Sequence, residues 1–137
     1  IWTQPKPAYH GRFVSFEHVQ AHPQRAIPIV VGGHTASAYR RAVEQGAGWY
    51  GFALDLNRTT HALTGIAEAL KRYDRSQGLG KLEISVTPPQ GTITLENAKR
   101  YVDLGVDRLI IYPPKHLSEA ALKDFVSQIS DTVIGRV

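Results

Sequence analysis

Short apolar runs alternate with longer amphipathic stretches between residues 27 and 130. An apolar run that is too short for a helix and is bounded by glycine or proline predicts a strand buried on both faces. Apolar residues spaced three and four positions apart predict a helix that packs through one side. The strands are predicted at 27–31, 49–54, 82–87 and 107–112, and the helices at 35–46, 57–77, 94–104 and 117–130.

Residues with capping chemistry lie at the ends of the predicted helices. Thr35 or Ser37 can cap the first helix, and Thr94 and Ser118 precede the third and the fourth. Gly105 follows the third helix, where a residue with positive φ is often needed. These signals support the predicted bounds.

Strict alternation of strands and helices predicts parallel strands joined by right-handed crossovers. Four such units form either a small open sheet or half of an eight-unit barrel. The chain has no methionine and opens at Ile1 on residues typical of the end of an element, so we expect further sequence upstream. We therefore predict an α/β fold of the (β/α)8 TIM-barrel type, with residues 27–137 as its C-terminal half. The four strands should lie in sequence order, whereas a reversal in that order would indicate an open doubly wound sheet.

The segment before the first predicted strand, residues 1–26, is rich in proline and is predicted to be an irregular lead-in. Residues 12–19 alternate imperfectly, which predicts one short extended segment lying over the main body. His10, His18 and His22 all fall in this region, at a spacing that matches no familiar metal site. We expect these histidines to be exposed and no metal to be bound.

Length and charge narrow the class of protein. At 137 residues the chain can form one domain with a substantial core. The net charge is +4, and the basic residues occur as scattered pairs such as Arg40-Arg41, so we expect no nucleic-acid surface. There is no cysteine and no run near the roughly 20 apolar residues that span a bilayer. We expect a cytoplasmic protein that is not bound to a membrane.

The glycine pair after the first predicted strand is the strongest candidate site. Gly32 and Gly33 permit unusual dihedrals or the close approach of a ligand. The N–H groups of Gly33, His34 and Thr35, the hydroxyl of Ser37 and the start of the helix can together hold a phosphate. The same residues also fit a tight turn followed by a helix N-cap, and the two interpretations do not exclude each other.

For other polar and aromatic residues near the strand ends, the sequence allows either a structural or a functional role. Trp49 and Tyr50 alternate along a strand, so the one that faces inward can border a ligand or simply pack in the core. Asp55 can be a general base or, as we favour, the N-cap of the second helix. Lys115 and His116 can reach an anionic group, although surface exposure is the ordinary state of such residues. No Ser-His-Asp arrangement, metal cluster or Walker-type loop is predicted.

Several stretches resemble the luciferase-like monooxygenase family. Residues 28–35, Pro-Ile-Val-Val-Gly-Gly-His-Thr, are followed by an Ala- and Arg-rich helix and then by residues 46–50, Gly-Ala-Gly-Trp-Tyr. Residues 9–16 resemble the segment that precedes this strand in the family, and residues 105–111 resemble its last strand. The resemblance covers nearly the whole chain.

This resemblance implies a (β/α)8 barrel that binds flavin mononucleotide (FMN) or the deazaflavin coenzyme F420 at its C-terminal rim. It implies an oxidoreductase, acting on a small-molecule substrate as a monooxygenase or by hydride transfer. Residues 27–137 would be units five to eight, and the loop after the fifth strand would bind the cofactor phosphate, although barrels in general bind phosphate after strands seven and eight. The cofactor-binding residues so implied are Gly32, Gly33, His34, Thr35, Ser37, Trp49 and Gly51.

Half a barrel leaves two strand edges and the inner sheet face without cover. We therefore expect the chain to pair with the N-terminal half-barrel or with another copy of itself. Alone it should be inactive and should not persist as a free monomer. The alternative function is a non-catalytic half-barrel that serves as a binding or assembly module.

Overall fold

Four parallel strands form a sheet that carries α-helices on one face. The computed structural model describes residues 2, 4–20, 22 and 24–137, so residues 1, 3, 21 and 23 of the predicted lead-in lie outside the described residues. The elements are β1 (Tyr9–His10), β2 (Ser15–Phe16), β3 (Val30–Gly32), α1 (Ala36–Gln45), β4 (Gly48–Gly51), α2 (Leu56–Arg72), a 3-10 turn (Gln77–Leu79), β5 (Glu83–Val86), α3 (Leu95–Asp103), β6 (Arg108–Leu109) and α4 (Glu119–Val133).

The larger sheet has the strand order β3-β4-β5-β6, and each strand runs parallel to its neighbour. The register aligns Val31 with Trp49, Trp49 with Ile84, and Val86 with Leu109. The prediction of four parallel strands in sequence order is confirmed, and the order contains no reversal. This arrangement is compatible with half of a barrel.

The first edge strand is shorter and more exposed than predicted. β3 begins at Val30 because Pro28 has no N–H to donate to a neighbouring strand. Ile29 contributes its carbonyl, which accepts a hydrogen bond from the N–H of Ala47 at 2.8 Å. Val30 is 49% exposed, so the prediction that this strand is buried on both faces is wrong.

Other bounds shift by a few residues for local reasons. β4 ends at Gly51 rather than at residue 54, since Ala53 has a φ of 54° that breaks the extended backbone. α2 ends at Arg72 rather than at residue 77, and Tyr73 is already extended. No helix within the described ranges has the length and apolar character needed to cross a membrane.

The core lies between the sheet and helices α1, α2 and α3. Side chains alternate along a strand, so every second residue points to the helices. Trp49 and Val86 are fully buried on this side. Tyr39, Ile66 and Tyr101 each contribute one large side chain from a different helix. Apolar burial, worth about 25 cal/mol per Å², thereby fixes the three helices against the strands.

The guanidinium of Arg75 joins the C-terminus of α1 to the loop before β5. Its Nη1 donates to the carbonyls of Val43 at 3.0 Å and Gly46 at 2.7 Å. Its Nη2 and Nε donate to the carbonyls of Leu79 at 3.1 Å and Gly80 at 2.7 Å. Burial lowers the pKa of Arg75 from its ordinary value, yet a guanidinium stays protonated at neutral pH. The negative end of the α1 dipole favours that charge.

Asp107 joins the start of β6 to β5. Its carboxylate accepts hydrogen bonds from the backbone N–H of Ile84 at 2.9 Å and from Nζ of Lys81 at 2.5 Å. Burial by itself raises the pKa of Asp107, but the hydrogen bonds from Lys81 and Ile84 and the charge of Lys81 lower it on balance. The ionised carboxylate therefore fixes the last strand pair at its N-terminal end.

The lead-in contains a small hairpin in place of the predicted extended segment. β1 and β2 pair antiparallel, with Tyr9 opposite Phe16 and His10 opposite Ser15. The N–H of Gly11 donates to the carbonyl of Val14 at 2.9 Å and closes the turn. The prediction of one extended segment over 12–19 is wrong because the turn divides it.

We expect Arg75→Ala to lower the free energy of unfolding by about 2–4 kcal/mol, because it leaves several carbonyls without a donor. Arg75→Lys should recover only part of this loss. An ammonium group lacks the planar array of N–H donors with which the guanidinium reaches both the end of α1 and the loop before β5. Arg41→Ala, on the exposed side of α1, is the control and should change stability by less than about 0.5 kcal/mol. Urea unfolding followed by circular dichroism measures these differences. A loss below about 1 kcal/mol for Arg75→Ala would contradict the assigned role.

Candidate functional site

The loop between β3 and α1 turns sharply at the C-terminal end of the sheet. Gly33 has a φ of 117°, and a Cβ at this position would lie 3.0 Å from the Cβ of Ala38. Thr35 is the N-cap of α1, and its Oγ1 accepts a hydrogen bond from the N–H of Ala38 at 3.3 Å. The hydroxyl of Ser37 lies 3.0 Å from the hydroxyl of Thr35. Of the two predicted caps, Thr35 is the one that the structure uses.

A row of backbone donors lies beside this turn. Within the described chain, the N–H groups of residues 34–37 have no hydrogen-bond acceptor. Gly33, His34, Thr35 and Ser37 are all exposed. The first N–H groups of a helix point back along its axis and carry a partial charge of about +0.5. The arrangement therefore suits an anion such as a phosphate.

Trp49 supports this loop from the core instead of lining it. Its side chain is 0% exposed and faces the helices. Its Nε1–H donates to the carbonyl of Gly33 at 2.8 Å. Its ring packs edge-on against Tyr39 at 5.8 Å and lies 6.1 Å from the ring of His34. Of the two roles left open by the sequence, core packing is the one that the structure gives to Trp49, with the further role of positioning Gly33.

Gly51 is a buried packing position at the end of β4. A Cβ there would lie 2.4 Å from Cδ1 of Leu54 and 2.6 Å from the indole of Trp49. Only glycine therefore leaves room for these two side chains.

A cleft of about 510 Å³ opens next to the loop, between the N-terminal halves of α1 and α2. His34 lies at its border, and Phe52 contributes an aromatic side chain that is 55% exposed. Arg58 and His61 provide polar groups on the α2 side. The cleft is therefore mixed in character, and it shares His34 with the donor row.

The sheet face opposite the helices is polar. The hydroxyls of Tyr50 and Thr87 lie 2.8 Å apart. Further down the strands, Glu83 accepts hydrogen bonds from Ser85 and Arg108, each at 3.2 Å. Alternation along the strands places all of these side chains on one face. Sequence reasoning missed Thr87, because a lone threonine inside an apolar strand carries no signal of its partner.

The other polar candidates have structural or surface positions. Asp55 is the N-cap of α2, as favoured from the sequence, and accepts a hydrogen bond from the N–H of Arg58 at 2.8 Å. The hydroxyl of Tyr101 donates to the carbonyl of Leu54 at 2.8 Å and holds the same loop. Burial, and then the charge of Asp55, raise the pKa of Tyr101. Lys115 and His116 are exposed beyond β6, at the opposite edge of the sheet from β3.

The hairpin brings together a Ser-His-acid contact that the sequence analysis did not expect. Ser15 Oγ lies 2.8 Å from Nδ1 of His10, and Oε1 of Glu17 lies 3.1 Å from Nε2 of the same ring. The antiparallel register creates this contact, and sequence spacing alone does not reveal it. The side chains of His10 and Glu17 are 64% and 55% exposed, so water surrounds the group and screens its charges.

The histidines of the lead-in, His10, His18 and His22, are exposed as expected. Nowhere in residues 2, 4–20, 22 and 24–137 do three His, Asp or Glu side chains lie close enough together to hold a metal ion.

Comparison with known proteins places the chain in a family. Residues 1–123 match the sequence model of the family described as luciferase-like monooxygenase. The chain therefore belongs to the luciferase-like monooxygenase family. No individually curated protein matches it.

We expect Trp49→Phe to loosen the loop at Gly33 while leaving the sheet intact. Phenylalanine keeps most of the packing but leaves the Gly33 carbonyl without its donor, which costs about 1–3 kcal/mol. Amide hydrogen exchange should accelerate in residues 33–38 more than in β5. Tyr73→Phe, a conservative aromatic change at the far end of α2, is the control. Equal acceleration across the whole chain would contradict a local role for the indole N–H.

Proposed function

We propose that this chain belongs to a flavin- or deazaflavin-dependent oxidoreductase and that its β3–α1 loop binds the phosphate of the cofactor. The family membership supports the class of enzyme. The observation that carries the assignment is the row of N–H groups at residues 34–37 that have no acceptor in the described chain. Either FMN or coenzyme F420 fits this proposal.

The chemistry of the loop suits a phosphate better than a neutral group. Gly33 puts no side chain in the way, and its φ of 117° directs its carbonyl to Trp49 in the core. The hydroxyl of Ser37 adds a side-chain donor beside the backbone N–H groups. Hydrogen bonds to an anion are roughly twice as strong as those between neutral groups. When bound, the cofactor would supply two-electron redox chemistry toward a small-molecule substrate.

We further propose that the sheet is half of a (β/α)8 barrel and is covered by four more βα units or by another copy of the chain. The accessible surface is 9733 Å², whereas a folded protein of 15.1 kDa is expected to expose about 7,100 Å². Part of the excess belongs to the extended lead-in. The rest is consistent with two open strand edges, β3 and β6.

The last helix supports the same proposal. α4 buries only Val133 within the described chain. Leu122 and Val126 on this helix are 42% and 58% exposed. Exposed apolar side chains at helical spacing mark a face that packs against something else. In a closed barrel such a helix would lie against the first units of the chain.

A non-catalytic binding or assembly module is the second candidate function. It is favoured by the same exposed faces, which would serve association whether or not a cofactor binds. Cofactor binding by the complete protein separates the two candidates, because an assembly module needs no phosphate site.

We expect the complete protein to bind FMN or F420. We expect Ser37→Asp to abolish binding of whichever of the two cofactors the wild-type protein binds more tightly. An aspartate in the first turn favours the helix but repels the phosphate dianion. Ser127→Asp, the same change on the polar side of α4 away from Leu122 and Val126, is the control and should leave affinity unchanged. Fluorescence titration of each cofactor measures the dissociation constants. Failure of both cofactors to bind, or full affinity in Ser37→Asp, would contradict the proposal.

The isolated 137-residue chain should associate instead of persisting as a monomer. Burial of exposed apolar area at about 25 cal/mol per Å² favours pairing of the open faces. Val30→Lys should weaken this association, because a charge on an edge strand opposes strand pairing. Sedimentation velocity at micromolar concentration tests the prediction. A monomer that unfolds cooperatively at low concentration would show instead that the open sheet is a complete domain.

A further inference from the structure

The cleft between α1 and α2 contains a tyrosine hydroxyl without a partner. Tyr39 lines this cleft of about 510 Å³ and is only 8% exposed. Its hydroxyl makes no hydrogen bond within the described residues, whereas the hydroxyls of Tyr50 and Tyr101 both have partners. Burial raises the pKa of Tyr39, so the phenol keeps its proton and remains a donor. A largely buried donor with no acceptor in the chain is rare, which points to a molecule in the cleft as its acceptor.

Gly65, in the middle of α2, leaves room for the ring of Tyr39. A Cβ at Gly65 would lie 2.6 Å and 2.9 Å from ring carbons Cε2 and Cδ2 of this tyrosine. Glycine inside a helix weakens it, so alanine would be the better residue at this position if the ring were not there. The same ring packs edge-on against Trp49 at 5.8 Å. The hydroxyl of Tyr39 is therefore held in place before any ligand arrives.

The turn after β4 brings an aromatic side chain to the same cleft. Phe52 lines the cleft and is 55% exposed. Ala53, the next residue, has a φ of 54°, a left-handed backbone that residues other than glycine rarely adopt. The turn is held from two sides, since Leu54 donates its N–H to the carbonyl of Thr87 at 3.1 Å and accepts from the hydroxyl of Tyr101 at 2.8 Å. Strain that is held in this way often belongs to a binding site.

The polar side of the cleft favours an anion. Arg58 and His61 lie one turn apart on α2, and both line the cleft. The first turn of α2 carries no acidic residue and forms the positive end of the helix dipole. The N-cap Asp55 accepts a hydrogen bond from the backbone N–H of Arg58 at 2.8 Å, but its other oxygen lies 3.9 Å from Nε of that side chain. This distance is too long for a hydrogen bond, so the guanidinium keeps its donors for a ligand.

We infer that this cleft is a binding site for a small aromatic carboxylate. The ring of the ligand lies against Phe52 and the buried side chain of Leu54, and the carboxylate accepts the hydroxyl of Tyr39 and donors from Arg58 and His61. A volume of about 510 Å³ is within the range of small-molecule pockets, which combine apolar walls with a few polar groups in the same way. The cleft lies among the helices, so its ligand is a separate molecule from a cofactor bound at the β3–α1 loop. The inference does not depend on that cofactor.

Binding of benzoate to the complete protein, measured by isothermal titration calorimetry, tests this inference. Benzamide has the same ring without the charge, and cyclohexanecarboxylate has the same charge without the aromatic ring. Benzoate should bind roughly tenfold more tightly than benzamide, because hydrogen bonds to an anion are stronger than those to a neutral group. It should bind about threefold more tightly than cyclohexanecarboxylate, because an aromatic ring gains from its contact with Phe52.

Five variants locate the site. Tyr39→Phe removes one donor and keeps the ring, so it should weaken benzoate about 3- to 10-fold, and Arg58→Gln should have an effect of similar size. Phe52→Leu should bring the affinities for benzoate and cyclohexanecarboxylate to within about twofold of each other. The matched controls, Tyr73→Phe and Arg72→Gln, lie at the C-terminal end of α2 outside the cleft and should leave all three affinities unchanged.

Three results would overturn the inference. Benzoate binds no more tightly than benzamide, or Tyr39→Phe and Arg58→Gln bind it as the wild-type protein does, or none of the three probes binds at concentrations up to about 10 mM. The midpoint of unfolding of each variant shows whether a loss of affinity is a loss of fold. If Tyr39→Phe fails to fold, the comparison of the three probes on the wild-type protein and on Arg58→Gln decides.

Discussion

The hydrogen bond from the indole of Trp49 to the carbonyl of Gly33 connects the core of this protein to its candidate site. The indole is fully buried and is held edge-on by Tyr39, so the position of the acceptor is set by core packing. Gly33 can present its carbonyl in this direction because it adopts a positive φ. The N–H groups that follow are then left at the surface, where a helix begins. Stability of the core and geometry of the site therefore depend on the same contact.

Side chains alternate along each strand, so apolar core residues lie on one face of the sheet and polar residues lie on the other. Trp49 and Val86 point to the helices and build the core. Their neighbours Tyr50 and Thr87 point the other way and share a hydrogen bond. Each strand thus supplies packing and polar groups at consecutive positions. Each strand therefore contributes both to the core and to a row of polar groups on the other face.

Local sequence signals predicted the elements of the fold well. The alternation of strands and helices gave the correct strand order, and Thr35 and Asp55 were recognised as possible helix caps from residue type and position alone. Features that depend on distant partners were missed. The five-carbonyl contact of Arg75 joins segments far apart in sequence, and the exposure of Val30 depends on what covers the sheet. Residue type gives no information about either.

The central claim, that the β3–α1 loop holds a cofactor phosphate, is tested most directly by a crystal structure of the complete protein with FMN or F420 bound. The account predicts phosphate oxygens at about 2.7–3.2 Å from several N–H groups of residues 33–37 and from the hydroxyl of Ser37. A phosphate bound in the loops after β5 or β6, as in many other barrels, with residues 33–37 left in contact with water, would contradict it.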